Sequence, residues 1–248
     1  MRTTVLGNEF RKMRHLHVGL LAVAWLVAVT TISVCTSFIS PDFDRTTEAS
    51  WNTLLGGAAS GIALITPLLL AVVASRQVDV EHRGNGWLLS ATSGVTPGLL
   101  CRAKFAALGG IVAAATATAS GVIAATGFLV GITASFPATR WTGFTAAVVV
   151  VNLVLVALHI GLSARFENQL IGLGVGLLGT VVALFAGAAP AGFAHVTPWG
   201  YYSLSAASGY VDAHLVALTP SYPSIAVLGL VAASVFWNFT RRFEGQGV

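Results

Sequence analysis

The chain has 248 residues, 55% of them hydrophobic and only 9% charged, with a formal net charge of +4. A soluble domain carries about 25% charged residues, so this composition excludes a water-soluble globule and makes lipid the solvent. The small basic excess comes without a run of basic residues interleaved with aromatics, and no nucleic-acid partner is expected.

Residues 1–15 open with Val5, Leu6, Phe10 and Met13 on one helical face and Arg11, Lys12, Arg14 and His15 on the other. The pattern predicts an amphipathic helix lying on the membrane surface. Six apolar stretches follow, at 16–39, 52–75, 103–132, 143–164, 170–190 and 222–240, each near the ~20 residues that cross a bilayer. Between the second and third lies a polar segment, 76–102, and between the fifth and sixth a Pro/Gly-rich aromatic segment, 186–221. The latter is expected to form short re-entrant or extracellular helices. The fold class is therefore an all-α membrane protein in one domain, with six transmembrane helices. Pro67 is expected to kink the second span. Glycines at helical spacing, Gly57 and Gly61, Gly127 and Gly131, and Gly172, Gly176 and Gly179, should let backbones approach, within the chain or against a second subunit.

With the amino terminus inside, Arg2, Arg11, Lys12, Arg14, Arg76, Arg83, Arg102, Lys104, Arg165, Arg241 and Arg242 fall in the cytoplasm, and only Arg45 and Arg140 outside. Basic residues concentrate on the cytoplasmic side, which favours both termini inside. Cys35 and Cys101 then lie at opposite faces and are not expected to pair.

Away from their ends, where His17 and Lys104 lie, the spans hold essentially no acidic or basic residue except His159. Ion-coupled transport calls for a mid-membrane carboxylate or equivalent, and none is placed there. No Walker A glycine–lysine loop, HExxH or GxSxG occurs, so no catalytic, cofactor-binding or metal-binding residue is assigned. Uphill transport would need energy from a partner.

The segment Asp79–Phe105, DVEHRGNGWLLSATSGVTPGLLCRAKF, is the most informative. Gly84 and Gly86 punctuate it, Trp87, Leu88 and Leu89 form a short amphipathic element, and Ser93-Gly94 with Pro97 break it. Such an element either plugs into a groove on a cytoplasmic protein or serves as a surface connection.

Glu81-His82-Arg83, Trp87-Leu88-Leu89, Val95-Thr96 and Lys104 resemble the first intracellular loop of type-2 ABC exporter (ABC-2) permeases, especially lantibiotic- and bacitracin-immunity subunits. Asn8–Arg14 resembles that family's connecting helix, Arg165–Gln169 its second cytoplasmic turn, and Thr197–Tyr201 its Pro-Trp segment before the last span. Gly94 and Pro97 depart from the family pattern. The resemblance implies a permease subunit that exports a hydrophobic or amphipathic substrate from a bacterial cell, through the plasma membrane. It implies a cytoplasmic ATPase dimer that binds ATP and Mg, a second permease, identical or paralogous, and surrounding lipid. Glu81, His82, Arg83 and Trp87 would couple to the ATPase. The path would be lined by spans one, two and five, with Trp25, Thr30, Thr31, Ser33 and Thr66 as candidates. Rival readings are a scaffold or sensor that docks a cytoplasmic partner without transporting, and a substrate-recruiting subunit of a multi-part enzyme.

Overall fold

The structure is a computed structural model that describes residues 2–190, 192–211 and 214–245. Met1 of the expected 1–15 helix, Ala191, Asp212 and Ala213 of the 186–221 segment, and residues 246–248 lie outside the described residues, as does the side chain of Arg2.

Helix α1 (Arg2–His15) leads into α2 (Val18–Ile39) through His17, whose φ of 56° makes a left-handed turn. Helix α3 (Ala49–Arg83) is followed by the short α4 (Gly86–Thr92), α5 (Pro97–Val130), α6 (Ala138–Arg165) and α7 (Gln169–Phe185). A one-turn α8 (Tyr201–Leu204), strands β1 (Ser208–Val211) and β2 (His214–Ala217), and α9 (Tyr222–Gly245) follow. Among the described residues, six helices are long and apolar enough to cross a membrane. At 22 residues, α2 is about 33 Å long, matching the hydrocarbon core.

Helix α3 is the hub, packing against α2, α7, α6 and α5. It is accordingly buried along most of its length, from Trp51 and Leu54 through Ala58, Thr66 and Leu70 to Val78 and Glu81, with Leu64 and Leu68 left exposed on one side. Pro67 lies buried inside this helix, which runs on past it to Arg83. The residues 76–83 thus continue the α3 helix and do not form a loop. The small residues serve packing within the chain. A side chain at Gly57 would meet the Ser33 carbonyl, one at Gly127 the Trp51 ring, and one at Gly176 the Ala71 methyl.

Segment 186–221 holds short helices, and beyond them a hairpin that was not expected. It contains three 3₁₀ turns (Ala186–Ala188, Phe193–His195 and Pro198–Gly200), α8, and an antiparallel hairpin pairing Ser208 with Ala217 and Val211 with His214. Tyr210, Val211 and Val216 are residues that favour strands, and each arm of the hairpin is only four residues long. The Ser208 hydroxyl donates to the Asn52 carbonyl at 2.6 Å and ties the hairpin to the start of α3.

The bundle therefore has two distinct ends. One carries α1, α4, the starts of α5 and α7 and the ends of α3, α6 and α9. The other carries the 40–48 and 131–137 loops and the hairpin segment.

Candidate coupling site

The α1 end is organised by four charges. Helix α1 turns Glu9 and Met13 inward, 0% and 2% exposed, with Leu6 and Leu16 packed against the same core. Phe10, expected on the apolar face, is exposed. A carboxylate at the centre of a buried face demands partners. They come from α5 and from α1 itself. Lys104 of α5, fully buried, donates to Glu9 Oε2 at 2.9 Å, to Glu81 Oε1 at 2.7 Å and to the Gln77 carbonyl at 2.9 Å. All three ammonium protons are thereby used. Lys12 completes the ring, donating to Glu9 Oε1 at 2.9 Å and to Glu81 Oε1 at 2.7 Å.

Two carboxylates face two ammoniums, so the cluster is neutral as a unit. Removing any one member leaves an uncompensated charge. Burial alone would lower the Lys12 ammonium's pKa. The hydrogen bonds and charges of Glu81 and Glu9 outweigh it and hold that pKa above its ordinary value. The arrangement locks α1, α3 and α5 in one register, because Lys104 reaches both carboxylates only in that geometry.

Helix α4 sits directly on this cluster. Asn85, at φ 49°, makes the sharp turn out of α3. Gly86 follows with no room for a side chain: a Cβ there would collide with the Glu81 carboxylate and lie 2.9 Å from its Cα. The expected coupling residues divide by direction. Glu81 points inward, 2% exposed, into the ion cluster. His82 makes a 2.9 Å hydrogen bond through Nε2 to the Ser163 carbonyl of α6, and its Nδ1 accepts from Trp87 Nε1 at 3.3 Å. Trp87 is half-buried, with its ring edge-on to His82 and Phe243, so it ties α4 to α3 and α9. Arg83 faces outward and pairs with Asp79 at 2.6 Å. The large apolar groups that α4 turns to the outside are Leu88 and Leu89, 49% and 61% exposed. Beside them, α1 and α4 frame a groove of about 550 Å³ lined by Asn8, Arg11, Lys12, His15, Leu89 and Ser93, among others.

The candidate path residues scatter differently. Trp25 Nε1 donates to Thr66 Oγ1 at 3.0 Å, joining α2 to α3 in the interior. Ser33 donates to the Leu54 carbonyl at 3.3 Å. Thr31 is exposed, and the buried Thr30 hydroxyl oxygen has no partner among the described residues. His159 is fully buried in α6 beside Trp199, ring centroids 6.3 Å apart, with neither ring nitrogen bonded among the described residues.

Sequence reading singled out Glu81 and the Lys104 position but did not link either to Glu9 or Lys12. One signal was present. Lys104 is one of only two lysines, and it opens an apolar span where a cation needs a buried counter-charge. A second polar set was missed altogether. Asn152 of α6 donates to Thr116 of α5 at 2.9 Å and accepts from the Tyr202 hydroxyl at 2.6 Å.

Fold and site together define a multi-pass membrane protein whose apolar bundle carries a helical cap at one end, locked to the spans by buried ions. Residues 5–183 match the family described as ABC-2 family transporter protein, and the chain belongs to that family. It is thus the membrane permease component of an ABC transporter, a class that implies an ABC ATPase partner. A comparison with curated proteins finds no match.

Proposed function

We propose that this chain is the permease subunit of an ATP-driven exporter, in which α4 docks on a cytoplasmic ABC ATPase and the ion cluster carries the resulting motion to the spans. The observation that carries this reading is the junction of α4 with the cluster. The short helix presents Leu88 and Leu89 outward, while its base rests on Glu81 through Gly86. Exposed leucines on a short helix suit a groove on a folded partner. Behind them, Glu81, Lys104, Glu9 and Lys12 tie α1, α3 and α5 to one another, and α4 rests on that set where Gly86 meets Glu81. Pushing α4 therefore displaces three helices together. His82 and Trp87 extend the linkage to α6 and α9.

In this reading both termini are cytoplasmic and the chain resides in the bacterial plasma membrane; the eleven-to-two partition of basic residues supports that orientation. ATP and Mg bind the partner ATPase dimer, and a second permease, identical or paralogous, completes the path. The apolar spans favour a hydrophobic or amphipathic cargo, such as a peptide antibiotic, a drug or a lipid-like molecule, with self-protection against an antimicrobial as the role.

The test is co-purification of the cognate ATPase with the wild type and with Leu88→Ser/Leu89→Ser. Both side chains are exposed, so the double variant should fold and insert normally but lose at least tenfold in bound ATPase. Undiminished ATPase binding by the double variant would remove α4 as the docking element.

A further inference from the structure

We propose that the groove between α6 and α9 at the α1 end is a binding site for an anionic phospholipid, its headgroup held by Arg165 and Arg242 and one acyl chain lying along the helices. The groove encloses about 430 Å³ and is walled by apolar residues, among them Leu158, Gly161, Leu162, Val231, Val235 and Phe239. A second hollow of about 590 Å³ adjoins it at the helix ends, sharing Arg165, Val235 and Phe239 and adding Asn238 and Arg242. The two are continuous: an apolar channel running along the span and opening onto two cations where the helices end.

The charges at this end are not equivalent. Arg102 is ion-paired with Glu244 and stacks over Trp237. Arg241 lies over the same indole, 5.2 Å from its centroid, and lines neither hollow, whereas Arg165, 5.9 Å from the Phe166 ring centroid, lines both. Arg165 and Arg242 have no carboxylate partner among the described residues. Both are exposed, and both close the last turn of their helices. Nearby acids do not neutralise them: Glu244 is taken by Arg102, and Glu167 is exposed with no ion pair among the described residues. Two unpaired guanidiniums at the mouth of an apolar channel complement one anionic headgroup with its chain.

Membrane physics singles out a lipid. Apolar surface within a bilayer gains nothing from leaving water, so the channel by itself selects nothing and is simply filled by an acyl chain. Selection rests with the headgroup, and a basic pocket between helix ends is where anionic lipid is recognised.

The experiment is native mass spectrometry of the full chain, released from micelles containing equal phosphatidylglycerol and phosphatidylcholine of one chain length. At about fivefold per basic residue, the two arginines should favour phosphatidylglycerol by roughly 25-fold. Arg165→Gln and Arg242→Gln should each lower the preference to roughly fivefold, and the double variant to near parity. Arg241→Gln, at a position that lines neither hollow, should leave it unchanged. Circular dichroism and a monodisperse elution profile show that each variant folds. Equal binding of the two lipids by the wild type, or full preference in the double variant, would overturn the proposal. So would loss of the bound lipid to millimolar glycerol phosphate, which would mark a free-anion site. A Val231→Cys disulfide dimer in membranes would place a second copy of this chain in the groove and overturn it equally.

Discussion

The two ends of this bundle are held by opposite chemistry. At the α1 end, Glu9, Glu81 and Lys104 are buried and make a closed set of ion pairs with the partly exposed Lys12, and Arg102 pairs with Glu244. At the hairpin end the work is done by rings and neutral hydrogen bonds. Trp51 packs against Phe128, Phe136 and Trp141 with centroids 5.0–5.9 Å apart, and its indole donates to the Ala134 carbonyl at 3.0 Å. Aromatic packing degrades gradually as rings shift. A buried ion set is either complete or badly unbalanced, because its desolvation is offset only when every charge has its partner. A switch-like joint therefore belongs at the α1 end, and a deformable seal at the other.

The largest effect is expected from Lys104→Met, which strands Glu9 and Glu81 with Lys12 alone. Breaking a buried pair costs about 3–5 kcal/mol, readable as a lowered unfolding midpoint in detergent. Adding Glu9→Gln should recover part of that loss, since Lys12 and Glu81 then form a balanced pair. A double variant no better than the single would mean the charges do not act as a set.

Trp51→Ala probes the other end. It opens a cavity among three rings, at about 3 kcal/mol, but Trp51→Phe should restore most of the stability. Lys104→Arg should not rescue its own site, because a planar guanidinium cannot aim three donors as the ammonium does. If the conservative change is tolerated equally at both ends, the contrast drawn here fails.

Alkaline titration sharpens the same comparison. Lys12 has a folded pKa above its ordinary 10.5, so its stabilising contribution is complete below that value and is lost as pH rises through the raised one. Lys12→Met should weaken the wild type's stability loss above pH 10.5, measured by thermal unfolding between pH 9 and 12. An identical alkaline profile in both proteins would place the titration elsewhere. Smallest of all is Arg83→Ala. Its ion pair with Asp79 leaves the arginine largely in solvent, and the change should cost under about 1 kcal/mol.

Much of the architecture was legible in the sequence because lipid leaves few alternatives. A span must satisfy its own backbone, so long apolar runs read as helices almost by length alone. The 208–217 hairpin was not legible, since ten residues of mixed polarity inside a Pro/Gly-rich segment carry no long-range signal. Glu81 and Trp87 stood out by type. Their direction did not, because α3 continues as helix through 76–83 and turns Glu81 toward α1. The lock itself joins positions 9, 12, 81 and 104, and no local pattern in a single sequence connects residues so far apart.

The central claim is that the ion set transmits ATPase-driven motion from α4 to the spans. Cys35 is exposed and Cys101 is buried, so spin labels at Cys35 and at Leu230→Cys, exposed on α9, report the relation of α2 to α9 without further changes. Pulsed electron resonance on the purified complex with the ATPase, with and without ATP, reads that distance. The account predicts a nucleotide-dependent shift in the wild type and none in Lys104→Met at equal ATPase occupancy. The same shift in both would contradict it.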